Sequence, residues 1–213
     1  MAETALDAQS PIAQSPIAVV GPETVVAGWV VSGRRSTADL TLTDLTPLAK
    51  LAVRADPAGR MAETLAMHER SMLVTSVIPG EWLILAEAGE QAGVTTWLES
   101  AGDGELASVI DLTHGRALLR LTGPRASDVL AKECAVDLSD RGCPDERALR
   151  TAVAGLAVDV VRSDRDGVPS YLMHCERSSG QYLFDALLDA GTDLGIDVDG
   201  FRPPGLNTTR GAR

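Results

Sequence analysis

Residues 72–86 read MLVTSVIPGEWLILA. Met72 to Ile78 and Trp82 to Ala86 are apolar runs of strand length, and the Pro79-Gly80 pair between them is turn chemistry, so the stretch predicts a β-hairpin. Upstream, Ala58, Met61, Ala62 and Leu65 recur at helical spacing. Asp56-Pro57 supplies a start for that helix: a carboxylate to cap free N–H groups, then a proline where a missing N–H costs nothing. Leu48 to Arg54, before the helix, reads as a strand. Downstream of the hairpin, Val94, Trp97, Leu98 and Ala101 mark one face of a second helix, with Gly102 as its stop. Ala107 to Leu112 is again a strand, and the order is β-α-β-β-α-β.

The second half of the chain repeats that order. Arg116 to Leu121 is a strand, and Gly123-Pro124 opens a helix with Ala126, Val129, Leu130 and Cys134 on one face. Leu156 to Val161 and Tyr171 to Cys175 are strands, and the loop between them carries the turn pair Asp166-Gly167. Ser178 and Gln181 form a capping-box pattern before Leu183, Leu187 and Ala190, with Gly191 as the stop. Ile196 to Val198 is a short last strand, and Thr24 to Val31 and Leu40 to Leu45 add strand material outside the repeat. The predicted fold class is α+β: two tandem ferredoxin-like β-α-β-β-α-β units sharing a core. The half-repeats run over about 40–112 and 115–199 within a domain of 23–199. An N-terminal arm (1–22) precedes it and a C-terminal tail (200–213) follows, with Arg202-Pro203-Pro204-Gly205 ending regular structure.

Composition narrows the function. The 213 residues are 45% hydrophobic and 23% charged, ordinary for a folded chain that buries roughly 70% of its unfolded surface. Nineteen Lys and Arg against thirty Asp and Glu give a net charge of −11. There is no basic stripe for nucleic acid and no attraction to an anionic membrane surface. Aromatic residues, at 3%, are too few for base-stacking platforms. Cys134, Cys143 and Cys175 are odd in number and lack CxxC spacing, which points away from a disulfide framework or a zinc cage. No basic stretch precedes an apolar run at the N-terminus, and no apolar tract is long enough to span a bilayer, so a reducing cytoplasm is the expected location.

The arm holds the sequence AQSPIA twice, at Ala8–Ala13 and Ala13–Ala18. Pro11 and Pro16 exclude a regular helix, while Ile12 and Ile17 have nothing local to bury them. The arm reads either as a loose leader or as an extended strap that lays its isoleucines on a partner surface.

Candidate chemistry is sparse. Asp111-Leu112-Thr113-His114-Gly115-Arg116 is the densest polar cluster, in which Asp111 and His114 could act as a base and its orienter. The competing reading is a turn, with Asp and Thr side chains bonding nearby backbone. Asp111, His114 and Arg116 are the candidates for ligand contact. His68 and His174 read as satisfied or surface histidines, and Cys143 as an exposed thiol in a polar loop. The acidic runs lack calcium-loop spacing, and neither phosphate-binding glycine loop nor G-x-S-x-G occurs. No catalytic residue and no metal ligand is assigned.

The stretch IDLTHGRALLRLTGPRASDVLAKECAVDL, Ile110 to Leu138, resembles the folate-dependent aminomethyltransferase (glycine-cleavage T-protein) superfamily. Within it the chain is most similar to the gamma-subunit branch of heterotetrameric sarcosine oxidases. The segments carrying that likeness are Pro79 to Leu85, Glu176 to Ala190 with Arg177-Ser178 leading a helix, and Ser15-Pro16-Ile17 in the arm. The resemblance covers about residues 40–192.

It implies an aminomethyltransferase folate-binding-domain-like fold without a cofactor of its own. It also implies a structural role in a complex with alpha, beta and delta subunits, chiefly alpha, that carries FAD, FMN, NAD and zinc and uses tetrahydrofolate. Such a complex oxidises sarcosine to glycine and passes the methyl carbon to tetrahydrofolate or releases it as formaldehyde. Partner-contact candidates on this reading are Pro11, Ile12, Pro16, Ile17 and Arg177. The family's catalytic aspartate segment has no match, since Ala154 to Asp159 lacks its paired aspartates. Two alternatives stay open: a stand-alone tetrahydrofolate-binding protein of one-carbon transfer, and the equivalent subunit of a related secondary-amine oxidase.

Overall fold

A computed structural model of the chain describes residues 13–68 and 71–206. In chain order the strands and helices are β1 (Ala13–Gln14), β2 (Glu23–Val26), β3 (Trp29–Ser32), β4 (Thr41–Asp44), β5 (Ala49–Arg54), α1 (Arg60–Ala66), β6 (Leu73–Ile78), β7 (Glu81–Ala86), α2 (Gln91–Ala101) and β8 (Ser108–Asp111). They continue with β9 (Arg116–Thr122), α3 (Ala126–Glu133), β10 (Ala148–Val153), β11 (Leu156–Arg162), β12 (Ser170–Glu176), α4 (Gly180–Gly191) and β13 (Asp197–Val198). The architecture is α+β.

The first β-α-β-β-α-β run forms a four-stranded sheet of order β6-β7-β5-β8, antiparallel throughout. That is the order of a ferredoxin-like split unit. α1 and α2 cover one face, where Met61, Leu65, Val94 and Leu98 meet Leu51, Val53 and Ile84. The second run forms a six-stranded sheet of order β10-β11-β12-β9-β4-β13. There the repeat is altered. β4, which precedes the first unit in sequence, lies between β9 and β13, antiparallel to the former and parallel to the latter. β10 is an added edge strand, joined to β11 through Ala154-Gly155, both at positive φ (50° and 76°) as a tight hairpin requires. Its mixed sequence, Ala-Leu-Arg-Thr-Ala-Val, suits an edge strand and lacks the apolar run that marks an interior one.

Strand alternation sorts the side chains into layers. On β9, Ala117, Leu119 and Leu121 face α3 and α4, packing with Val129, Leu130, Leu183 and Leu187. Leu118 faces the other way and meets Leu83, Leu85, Val161 and Leu172 between the two sheets. The order of layers is helices, four-stranded sheet, six-stranded sheet, helices.

Several local expectations are corrected. Asp56 does not cap α1: its carboxylate accepts the Ala58 N–H at 2.9 Å, closing a turn, and the helix begins at Arg60 after Gly59. Glu105 instead accepts the Met61 N–H at that helix start, at 3.1 Å. The Ser178/Gln181 capping box does not form. A short 3-10 turn (Arg177–Ser179) leads into α4, and the Gln181 amide bonds the arm and Asp185. The strand material at Thr24 to Val31 is borne out as two strands, folded at Ala27-Gly28 into the β2–β3 hairpin. Cys143 is fully buried, and burial raises its thiol pKa, so it is no exposed thiol. Phe201 and Leu206, in the tail, are buried among Leu48, Leu83 and Leu85. No helix among the described residues is long and apolar enough to cross a membrane.

Candidate functional site

The crossover from β8 to β9 carries the polar cluster, and folding turns it into a junction. Asp111 Oδ1 accepts the Thr113 N–H at 2.8 Å, the side-chain-to-backbone bond of an Asx turn. Thr113 Oγ1 accepts the Lys50 N–H at 3.1 Å, and the Leu112 N–H donates to the Lys50 carbonyl at 2.8 Å, tying the crossover to β5. His114 stacks on Trp29, with ring centroids 4.7 Å apart and planes at 15°. Arg177 lies over the same indole at 5.5 Å from its centroid, and its guanidinium donates to the Gln14 carbonyl. The Arg177 N–H also donates to the Gly115 carbonyl at 3.2 Å. Arg116 is drawn aside to Glu176 at 2.7 Å. Trp29 therefore gathers His114, Arg177 and the arm. Asp111 and His114 share no hydrogen bond, so the base–orienter couple is not assembled.

Among the arm candidates, Pro16 seats against Gly180. A Cβ at 180 would lie 3.0 Å from Pro16 Cγ and 2.7 Å from Ala117 Cβ, so only glycine leaves room there. Ile17, expected on a partner surface, is 4% exposed in this chain's own core beside Phe184 and Val198. That core supplies the apolar surface the isoleucine needs. Pro11 and Ile12 lie outside the described residues.

Sequence reasoning overlooked Lys50 and Arg120, which are buried between the sheets, and His174, read as a satisfied or surface histidine, is buried there without a hydrogen bond to its ring nitrogens among the described residues. Lys50 is fully buried and donates from Nζ to the carbonyls of Thr46 (2.6 Å) and Leu48 (2.8 Å). Burial lowers its pKa to about 7, against the pull of Asp44 and Asp111. Asp44 is pushed up by burial, although Ser15 and Thr46 bond its carboxylate. On the facing sheet, the buried His174 places Nδ1 3.6 Å from Asp159 Oδ2, beyond hydrogen-bond range. Burial lowers the His174 pKa, against the pull of Asp159.

Burial also opposes ionisation of Asp159, but His174 and the Arg150 fork at 2.7 and 3.3 Å outweigh it and hold the carboxyl at about 2. Arg150 then reaches Glu81 of the other sheet at 3.5 Å, and Glu81 pairs with Arg54 at 2.7 Å. Arg120 is 2% exposed, and its three guanidinium nitrogens have no hydrogen-bond partner among the described residues. Burial depresses its pKa to about 9. The sequence signal for Lys50, Arg120 and Asp159 was a charged residue flanked by apolar ones inside a strand: Ala49-Lys50-Leu51, Leu119-Arg120-Leu121 and Val158-Asp159-Val160. Alternation places each on the face opposite its neighbours.

A groove of about 330 Å³ is lined by Val26, Ala27, Glu87, Ala88, Phe201, Pro203 and Pro204. Its charged group, Glu87, already accepts the N–H groups of Gly205 and Leu206 at 2.9 and 2.7 Å. An engaged carboxylate in an apolar groove does not fit the anionic, glutamate-bearing end of a folate. No group of three or more His, Cys, Asp or Glu side chains among the described residues is placed to hold a metal ion.

Two helix-covered sheets packed face to face make this an α+β protein. The sequence model of the GCVT N-terminal domain family matches residues 35–209, and the chain belongs to that family. It is 40% identical over 80 residues to sarcosine oxidase subunit gamma of Arthrobacter sp., covering 38% of each chain. Against the gamma subunit of Corynebacterium sp. strain U-96 the identity is 33% over 116 residues, 54% of each. Mitochondrial dimethylglycine dehydrogenase of Homo sapiens is 27% identical over 143 residues, 66% of this chain but 16% of that protein. The chain thus spans about half or less of these curated relatives. Among solved structures, a chain of the heterotetrameric sarcosine oxidase from Corynebacterium sp. U-96 superposes with a TM-score of 0.66 at 25% identity, covering 76% of this chain and 90% of that one. Aminomethyltransferase T of Bartonella henselae superposes at 0.65 with 18% identity and shares the fold.

Proposed function

We propose that this chain is the gamma-type subunit of a heterotetrameric sarcosine-oxidase-like flavoenzyme and contributes shape and assembly contacts in place of an active site. The observation that carries the reading is the likeness to two gamma subunits, together with a solved sarcosine oxidase chain matched over 90% of its length. The junction around Trp29 supports it from within, because its polar groups are spent on turns, stacking and arm contacts. On this reading alpha, beta and delta partners supply FAD, FMN, NAD, zinc and tetrahydrofolate binding in the cytoplasm, with alpha as the main contact. Sarcosine is the substrate of that assembly. Co-expression with alpha-, beta- and delta-type chains is expected to give a stable four-component complex with sarcosine-dependent oxygen uptake. A purified chain that leaves those partners unbound refutes the reading.

A second reading keeps the fold and changes the assembly. The likeness to dimethylglycine dehydrogenase over 66% of this chain favours the equivalent module of a related amine oxidase. Comparing sarcosine with dimethylglycine as substrates of the purified complex separates the two. The family match also makes a stand-alone tetrahydrofolate-binding role testable. Calorimetry of the isolated chain with tetrahydrofolate gives no heat on the assembly reading, and saturable heat on the other.

A further inference from the structure

The arm repeats itself, and its second copy is docked on the domain. The groove holding Ala13–Ala18 reads almost every position of the motif. The Ala13 N–H donates to the Gly28 carbonyl at 2.8 Å, and Ala13 and Gln14 pair in parallel with Trp29 and Val30. The Gln14 carbonyl accepts from Arg177. The Ser15 hydroxyl meets the buried Asp44 carboxylate and also accepts the Ile17 N–H at 3.2 Å. Pro16 fits against Gly180, Ile17 fills the core, and the Ala18 N–H donates to Gln181 Oε1 at 2.6 Å. Nothing in this recognition distinguishes Ala13–Ala18 from Ala8–Ala13, because the two hexapeptides are identical.

We propose that this groove is a binding site for the sequence Ala-Gln-Ser-Pro-Ile-Ala with two occupants in the same chain, so that the arm docks in either of two registers five residues apart. A strand segment takes a unique register only where its side-chain pattern is unique, and a repeated pattern removes that constraint. In the second register Ala8 pairs with Trp29, Ile12 enters the core, and Ala13 donates to Gln181. Gln14–Ala18 then loop out before Val19. The cost that separates the registers is closure of that short loop, which favours the docking seen here. This inference rests on the repeat and the groove alone and stands apart from the assembly reading.

The test compares the full chain with a version lacking Gln9–Ala13, which retains one copy of the motif. Ile17→Ala is expected to lower the folding constant of the one-copy chain at least tenfold more than that of the two-copy chain, where Ile12 replaces the lost side chain. Ile12→Ala, silent alone, is expected to restore the full loss when combined with Ile17→Ala. In the two-copy Ile17→Ala chain, amide exchange should show protection moving from position 17 and Ala18 to Ala8 and Ile12, while Ala13 stays protected in both registers. Equal losses in the two backgrounds, with no movement of protection, overturn the proposal. Ile17→Val provides the same comparison if the alanine variant does not fold.

Discussion

The outer and inner layers of this molecule are built on different terms. Behind each sheet, where α1/α2 and α3/α4 pack, the buried side chains are overwhelmingly apolar: Met61, Leu65, Leu98, Leu119, Val129, Leu183, Leu187. Between the sheets, Leu83, Leu85, Leu118 and Leu172 share their layer with Lys50, Arg120, His174 and Asp159. Apolar burial stabilises both layers. In the second, part of that gain is offset by desolvating charge, and a buried ionic group is a weak source of stability unless fully paired. The difference separates a layer that holds the fold together from one that keeps two sheets in a fixed relation at some cost. That cost varies along the layer. Lys50 and Asp159 are well bonded, whereas Arg120 and His174 have unpartnered nitrogens.

Substitutions can widen or close that contrast. The largest effect is expected in the apolar layer: Leu119→Ala or Leu187→Ala should lower the unfolding free energy by about 2–5 kcal/mol in denaturant titration. Arg120→Met should act in the opposite direction and raise it by about 1–4 kcal/mol, because a buried unpaired charge is exchanged for packed carbon. A loss of stability on that change would place Arg120 among the groups the fold depends on.

Lys50 makes the contrast depend on pH. Its pKa falls from 10.5 to about 7 on folding. Below pH 7 both states carry the charge, and the burial penalty is felt in full. From pH 7 to 10.5 the unfolded chain binds the proton that the folded chain has released, so stability climbs with pH, by up to about 1.4 kcal/mol per unit. Lys50→Met is expected to remove that slope from stability curves measured between pH 7 and 10. The smallest effect belongs to the half-exposed Arg150 at the rim. Arg150→Ala should cost less than about 1 kcal/mol and less still in high salt.

Much of the architecture was legible in local pattern. The hairpin at Pro79-Gly80, the helix face at Val94 and Leu98, and the order of the first unit follow from spacing and turn residues. The second unit was less legible. β4 is contributed from seventy-odd residues upstream of β9, and nothing in Thr41–Asp44 names its partner. The candidate site divided in the same way. His114 and Arg177 are distant in sequence, and their shared neighbour Trp29 stands in what read as plain strand material. Asp111 read either as one half of a reactive couple or as a turn residue, because sequence gives adjacency without direction, and the structure bears out the turn. Its carboxylate turns toward the Thr113 amide.

The sequence by itself determined the element order, the apolar faces and the acidic, aromatic-poor composition, since periodicity and turn chemistry act over a few residues. It also determined that the arm carries its motif twice. Tertiary structure alone decided which strand enters which sheet, which charges become buried between them, and that Ile17 finds its apolar surroundings inside this chain. Those outcomes depend on surfaces brought together from distant parts of the chain, and burial, which sets both packing and pKa, exists only once those surfaces have met.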